Sequence, residues 1–149
     1  MRQPIYVYRP LLNAAAVSRY AEAIGLKNVI MPVDMHVTVA YSREAVDWNI
    51  DAFRRDQSTV LASGGERRIS KFGDSVVLEF ESREISQRWA AMIMAGATWD
   101  YPQYRPHVTI AVDPGARVDN IIPPSIDLRF GPERRETLND DWEPKTKQA

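Results

Sequence analysis

The sequence contains no cysteine among its 149 residues. Without cysteine the chain can form neither disulfide bonds nor a thiolate metal site, which is compatible with a reducing compartment. It has only two histidines, with no ladder of carboxylates near them, and these are too few donors for a metal centre. We therefore expect no metal and no cofactor.

An excess of one charge and a long apolar run are also missing. The chain has 19 basic and 20 acidic residues, giving a net charge of −1 and an isoelectric point of about 6.1. Proteins that bind long nucleic acid need a basic surface, so we expect no such partner, although a small anion in a local pocket is compatible. No run of about 18 apolar residues is present. Residues 1–5 also lack the apolar stretch of a signal peptide. We expect no membrane partner and a cytoplasmic location.

The two histidines lie in the same four-residue phrase, which occurs twice. His36-Val37-Thr38-Val39 and His107-Val108-Thr109-Ile110 each open an alternating apolar run. In a strand, side chains two residues apart lie on one face, so each phrase offers an imidazole and a hydroxyl side by side. Two such strands brought together would flank one small anion with two imidazoles and two hydroxyls.

The order of predicted elements is a coarse internal duplication, with one helix and one motif strand in each half. It predicts an α+β fold in one domain over residues 1–149: two lobes, each a mostly antiparallel sheet with an outer helix, and a central cleft between the motif strands. Residues 139–149 are predicted to be a flexible tail. The predicted helices cover 14–24 and 83–97, with a short helical turn over 46–53. The predicted strands cover 5–8, 36–41, 59–62, 68–72, 76–80, 107–112, 126–130 and 134–138, and residues 29–31 form either a short strand or an extended lead-in to Pro32.

A pair of imidazoles is suited to acid–base chemistry on a phosphodiester. The ordinary histidine pKa of ~6.5 lets one ring take a proton while the other gives one. The threonine hydroxyls can hold the non-bridging phosphate oxygens without a metal. Arg9 and Arg105 could pair with phosphate, and Tyr104 and Trp142, in a loop and the tail, could stack on bases.

The two motifs resemble the paired signatures of the two-histidine (2H) phosphoesterase superfamily. Within it the chain resembles the bacteriophage anti-CBASS nucleases, which destroy the cyclic oligonucleotide signals of bacterial CBASS immunity. The matching stretches are 5–10, 34–42 and 100–110. The resemblance implies a bilobal 2H fold and metal-independent cleavage of 3′–5′ bonds in cyclic di- or trinucleotides such as 3′,3′-cyclic GMP-AMP, in the host bacterial cytoplasm.

The resemblance also implies roles for individual residues. His36 and His107 would be the acid–base pair, and Thr38 and Thr109 would hold the scissile phosphate. On the first strand, Tyr6 would contact the substrate. Near the C-terminus, Glu136 would read a base and Trp142 would stack on one.

Two other functions fit the same residues. A 2H phosphodiesterase could act instead on 2′,3′-cyclic RNA ends or on 2′–5′ oligoadenylate. The chain could also be a non-catalytic nucleotide sponge or a phage structural protein, although intact histidine and threonine in both motifs argue against a degenerate site. Sequence alone does not identify which histidine is the base.

Overall fold

The computed structural model describes residues 2–147, and these contain two α-helices and eight β-strands. The α+β class with two antiparallel sheets is confirmed. The helices are α1 (Ala14–Ala23) and α2 (Arg83–Met94). The strands are β1 (Arg2–Pro10), β2 (His36–Asp47), β3 (Val60–Ala62), β4 (Arg68–Phe72), β5 (Ser75–Glu79), β6 (His107–Val112), β7 (Leu128–Phe130) and β8 (Arg134–Thr137).

Six of the strands form one antiparallel sheet in the order β4-β5-β6-β2-β1-β8. The two motif strands, β2 and β6, are its central neighbours, and they pair at Val37 and Val108. Three strands lie on each side of this junction, so the two pseudo-symmetric halves are joined edge to edge into one sheet. The second sheet is small and consists of β3 paired with β7.

Each helix buries an apolar face against the motif strand of the other half: α1 packs on β6 and α2 packs on β2. Ser82 caps α2, because its hydroxyl accepts the backbone N–H of Ile85 at 3.3 Å. Both helices end earlier than predicted, just before Gly25 and Gly96, whose φ angles of 84° and 111° suit glycine. No helix within residues 2–147 is long and apolar enough to cross a membrane.

Each motif strand contains a β-bulge at the same place. In β2, Val39 is an extra residue in the register with β1, and in β6, Ile110 is an extra residue in the register with β5. Both follow the motif threonine directly. The bulges explain why each strand buries two consecutive residues after its threonine, where simple alternation would bury only one.

Three segments differ from the sequence-based prediction. Strand β2 continues to Asp47, and only Asp51–Phe53 forms a 3₁₀ turn, so the predicted helical turn over 46–53 is wrong in its first half. Residues 29 and 30 form isolated bridges rather than a full strand. Within the predicted tail, Thr146 bridges Ile30, a contact that was not predicted, while the flexibility of the tail stays a prediction. Gln148 and Ala149 lie outside the described residues.

A buried ion network lies under the first strand. Arg9 is fully buried, and its guanidinium contacts Asp56 at 2.7 Å and Glu133 at 3.6 Å. The carboxylate of Glu133, also fully buried, accepts two hydrogen bonds from Arg88 and one from the backbone of Asp56, each 2.8 Å long. Arg9 therefore faces the core and cannot pair with a phosphate in the cleft.

We predict that Glu133→Gln lowers the free energy of unfolding by about 3 kcal/mol, because it removes the charge that compensates two guanidinium groups. Urea denaturation followed by circular dichroism measures this loss. The control is Glu66→Gln, since Glu66 is exposed and its contact with Arg68 is 3.8 Å long. It should cost less than about 1 kcal/mol. Equal losses in the two variants would contradict a structural role for the network.

Candidate active site

The pairing of the motif strands brings the four motif side chains onto one face of the sheet. Val37 and Val108 are opposite each other and fully buried, so their neighbours along each strand face the other side. Antiparallel geometry around this pair places each histidine across from the threonine of the other strand. The two imidazoles are then diagonal neighbours, a separation that long side chains can bridge.

Each imidazole is held by a hydrogen bond to the backbone carbonyl two residues earlier in the chain. Nδ1 of His36 lies 2.7 Å from the carbonyl oxygen of Asp34, and Nδ1 of His107 lies 2.8 Å from that of Arg105. A carbonyl oxygen can only accept, so Nδ1 carries the proton in each ring. In the neutral state Nε2 therefore keeps its lone pair, which is the form that a general base requires.

Tyr6 connects the first histidine to its threonine. Its hydroxyl donates to Nε2 of His36 at 2.7 Å and lies 3.3 Å from Oγ1 of Thr38. Burial raises the pKa of Tyr6 well above its ordinary value of 10, so the phenol remains protonated. Thr38, Tyr6 and His36 form a continuous hydrogen-bonded chain in which each hydroxyl has a defined partner.

The pKa values of both histidines are lowered from the ordinary 6.5, and burial is the main cause. The hydrogen bond to the preceding carbonyl opposes this effect in each case. Repulsion from His36 lowers the pKa of His107 further, in agreement with the diagonal placement of the two rings. Both imidazoles are thus neutral at pH 7 in the absence of a ligand.

The first histidine is surrounded by aromatic rings. The rings of Tyr8 and Trp142 meet His36 edge to face, with centroids 5.5 and 5.6 Å away. Trp142 keeps 49% of its surface exposed, although it touches His36. Glu136 is exposed on β8 directly opposite Tyr6. Three of the residues predicted from the sequence to bind substrate, namely Tyr6, Glu136 and Trp142, are therefore brought together beside His36.

Tyr104 has a different environment from the one predicted. Its ring stacks on Trp89 with centroids 5.1 Å apart, and its hydroxyl donates to the backbone carbonyl of Thr38 at 2.6 Å. Burial raises its pKa well above 10. These internal contacts were not predicted, and the hydroxyl ties the second half to the first motif strand. Tyr104 is nevertheless half-buried and lines a surface cavity together with Arg105, so its stacking on a base stays a prediction.

The second histidine has neighbours that the sequence reasoning did not assign. The ring of Phe72 lies 4.8 Å from that of His107. Glu79 is the strand partner of His107 and forms an ion pair with Arg105 at 2.6 Å. The Gly73-Asp74 turn could have indicated the contact between Phe72 and His107. A hairpin at this turn pairs β4 with β5, which places Phe72 two strands away from His107 in the same sheet. Within residues 2–147, no three acidic, histidine or cysteine side chains cluster as metal ligands would.

Comparison with known proteins identifies the family. The family model for the anti-CBASS protein Acb1 matches residues 3–145. The chain belongs to the Acb1 family. Members described under that name include one from Caulobacter sp. (strain RHG1), 38% identical over 94% of this chain, and one from Sphingomonas paeninsulae, 39% identical over 95%. The chain spans about a quarter of the length of these two relatives, 23% and 24%.

Phage relatives match a larger share of their own length. The Acb1 protein of Vibrio phage KVP40 is 32% identical over 83% of this chain and 79% of its own length. Among solved structures, E. coli LigT in complex with NADP⁺ superposes with a TM-score of 0.67 over 99% of this chain and 96% of LigT. At 14% identity this likeness shows the fold alone, which is that of the 2H phosphoesterases.

We predict that both histidines of the ligand-free protein titrate below pH 6.5, since burial disfavours the imidazolium form. Long-range ¹H–¹⁵N spectra across a pH series measure both pKa values and also show which ring nitrogen is protonated. The same protein unfolded in urea is the control and should titrate near the ordinary pKa of 6.5. A pKa at or above 6.5 in the folded protein, or a neutral ring protonated on Nε2, would contradict this site geometry.

Proposed function

We propose that this chain is a metal-independent phosphodiesterase that hydrolyses 3′–5′ bonds in cyclic di- or trinucleotide second messengers, such as 3′,3′-cyclic GMP-AMP. The observation that carries the proposal is the matched pair of histidines, each with Nδ1 bonded to a backbone carbonyl, which leaves Nε2 as the nitrogen for proton transfer; at His36 this nitrogen accepts the Tyr6 hydroxyl in the free protein. Membership of the Acb1 family supports the substrate class. Acting in the host bacterial cytoplasm, the enzyme would let a phage evade CBASS immunity.

The reaction requires one neutral and one protonated imidazole. One histidine takes the proton of the ribose 2′-hydroxyl, and the freed oxygen attacks the adjacent phosphorus. The other histidine donates its proton to the departing 5′-oxygen, which opens the ring and leaves a 2′,3′-cyclic phosphate. Water then hydrolyses this product with the two histidine roles reversed. Thr38 and Thr109 stabilise the charge that grows on the phosphoryl oxygens.

A bound phosphodiester favours the protonation of one histidine, which then acts as the general acid. Both histidines are neutral in the free protein because burial lowers their pKa values. A phosphodiester anion placed between them favours the imidazolium form, since opposite charge raises a histidine pKa. The substrate thus promotes the protonation of one ring, while repulsion between the rings disfavours protonation of both.

The aromatic residues around His36 provide a base subsite. Trp142 is half exposed beside the imidazole, so one nucleobase can stack on its ring. Glu136 can accept hydrogen bonds from the edge of that base, and Tyr6 contacts the sugar and phosphate beside His36. LigT, which shares this fold, has been crystallised with NADP⁺, ATP and 3′-AMP, so this fold accommodates nucleotides.

We predict that the protein degrades 3′,3′-cyclic GMP-AMP in the presence of EDTA. Chromatography with mass spectrometry should detect first a linear isomer of the substrate and then a product heavier by one water. His36→Ala and His107→Ala should each lower the rate by about 10²–10⁴-fold, since each removes a proton-transfer group. The 2′-deoxy analogue should persist, because it lacks the attacking oxygen.

Substrate panels distinguish this activity from its alternatives. Cleavage of 2′–5′ oligoadenylate or of 2′,3′-cyclic RNA ends, with cyclic dinucleotides left intact, would assign the other 2H activity. A cyclic dinucleotide that is bound but recovered unchanged would indicate a sponge. Full activity of either alanine variant would contradict the proposed mechanism.

We predict that Tyr6→Phe lowers kcat/KM by about tenfold while leaving the thermal midpoint nearly unchanged. The substitution removes the hydroxyl that links His36 and Thr38, at a cost on the scale of one hydrogen bond to a functional group. The matched control is Tyr20→Phe, whose hydroxyl donates to the carbonyl of Ile122 outside the cleft. Equal rates for Tyr6→Phe and Tyr20→Phe would show that Tyr6 has no role in turnover.

A further inference from the structure

The pseudo-symmetry of the sheet relates Glu136 in one half to Phe72 in the other. Tyr6 and Ser75 occupy equivalent positions, because each pairs with the residue three beyond its motif threonine. On the next strand outward, Glu136 is opposite Tyr6 and Phe72 is opposite Ser75. The position of Phe72 beside His107 therefore corresponds to the position of Glu136 beside His36.

Phe72 supports a flat, fixed guanidinium. The Cζ atom of Arg105 lies 4.7 Å from the centroid of the Phe72 ring. Two nitrogens of Arg105 donate to the two carboxylate oxygens of Glu79, at 2.6 and 2.7 Å. Ser70 donates to the same carboxylate at 2.5 Å. Bidentate pairing fixes the plane of the guanidinium, and the aromatic ring covers one of its faces.

Part of Arg105 remains accessible. Its side chain is 46% exposed, whereas that of Glu79 is 14% exposed. A cavity of about 530 Å³ lies alongside, and its lining includes Arg105, Glu79, Arg68 and Tyr104 but neither Phe72 nor His107. Arg105 therefore borders open space next to His107, its neighbour but one in the chain, whereas the Phe72 ring beneath it does not line this cavity. This volume is within the range of small-molecule sites.

The bonding of Arg105 indicates which part of a nucleotide it would contact. Its charge is compensated by Glu79, which also takes two of its five N–H donors, so its attraction for a phosphate is reduced. Burial tends to raise the pKa of Glu79, but the hydrogen bonds from Arg105 and Ser70 lower it overall, so the pair stays ionised. What remains is the open face of the guanidinium, and guanidinium planes stack on nucleobases.

We propose that Arg105, fixed by Phe72 and Glu79, is a stacking shelf for a second nucleobase on the His107 side of the cleft. This inference rests on the proposed function, because a cyclic dinucleotide presents one base on each side of the scissile phosphate. Trp142 beside His36 takes one base and Arg105 beside His107 takes the other. Ligands with two bases are then preferred to ligands with one.

The test measures binding rather than turnover, so that it stands apart from catalysis. One probe is 3′,3′-cyclic di-deoxyadenosine monophosphate, which lacks the 2′-hydroxyl that the proposed reaction needs. The second probe is the same ring with one adenine replaced by hydrogen. Calorimetry gives the Kd of each probe for the wild type, Arg105→Lys and Phe72→Leu. Arg54→Lys is the control, since Arg54 is an exposed arginine paired with Asp51 at 3.4 Å.

The wild type and the control should bind the two-base probe about tenfold more tightly than the one-base probe, the scale of one stacked base. In Arg105→Lys and Phe72→Leu this preference should fall to about twofold or less. The carbonyl that holds His107 belongs to the backbone and is kept in both variants. Equal weakening of both probes, or an unchanged preference, would overturn the shelf. If the wild type does not cleave the ribose form of the ring, the proposed function fails while this result still stands.

Discussion

The whole site depends on one backbone pairing, that of Val37 with Val108 at the centre of the six-stranded sheet. Side chains along a strand alternate between faces, so burying both valines against the helices places every motif histidine and threonine in the cleft. A slip of one residue in either strand would turn its imidazole away from the cleft and into the core. The helices enforce this register, since each packs against the motif strand of the opposite half.

The two halves share their chemistry but differ in their surroundings. Each motif strand has a bulge after its threonine and a histidine whose Nδ1 donates to the carbonyl two residues earlier. Around His36 the neighbours are aromatic rings with hydroxyl or indole groups, whereas around His107 they are Phe72 and a salt-bridged arginine. Duplication thus places two equivalent histidines in the cleft, and divergence of the outer strands gives each histidine a different set of neighbours.

Local sequence patterns predicted most of the fold and the motif residues of the site. Alternation and the glycine turns placed the strands to within a few residues, and repetition of His-x-Thr indicated which strands meet. The same alternation indicates that Arg9 is buried, since Arg9 lies on the same face of the strand as Ile5 and Val7. The environment of Tyr104 could not be predicted in this way, because stacking on Trp89 requires knowing how the loop before β6 packs on α2. For the same reason the contacts that hold the tail near residue 146 are invisible to local patterns, since their partners lie more than a hundred residues away.

Both arginines that were predicted from the sequence to pair with phosphate form ion pairs within the protein. This affects how strongly the cleft would bind an anion. Arg9 is buried with Asp56 and Glu133, and Arg105 is paired with Glu79. Arg9 is therefore out of reach of a phosphate in the cleft, and the charge of Arg105 is already compensated by a carboxylate. The groups nearest the expected phosphorus are two neutral imidazoles and two hydroxyls, which bind an anion weakly until a proton arrives on one ring. In the proposed mechanism the protonated ring pairs with the bound phosphodiester and then delivers the same proton to the departing 5′-oxygen, so one group serves both anion binding and acid catalysis.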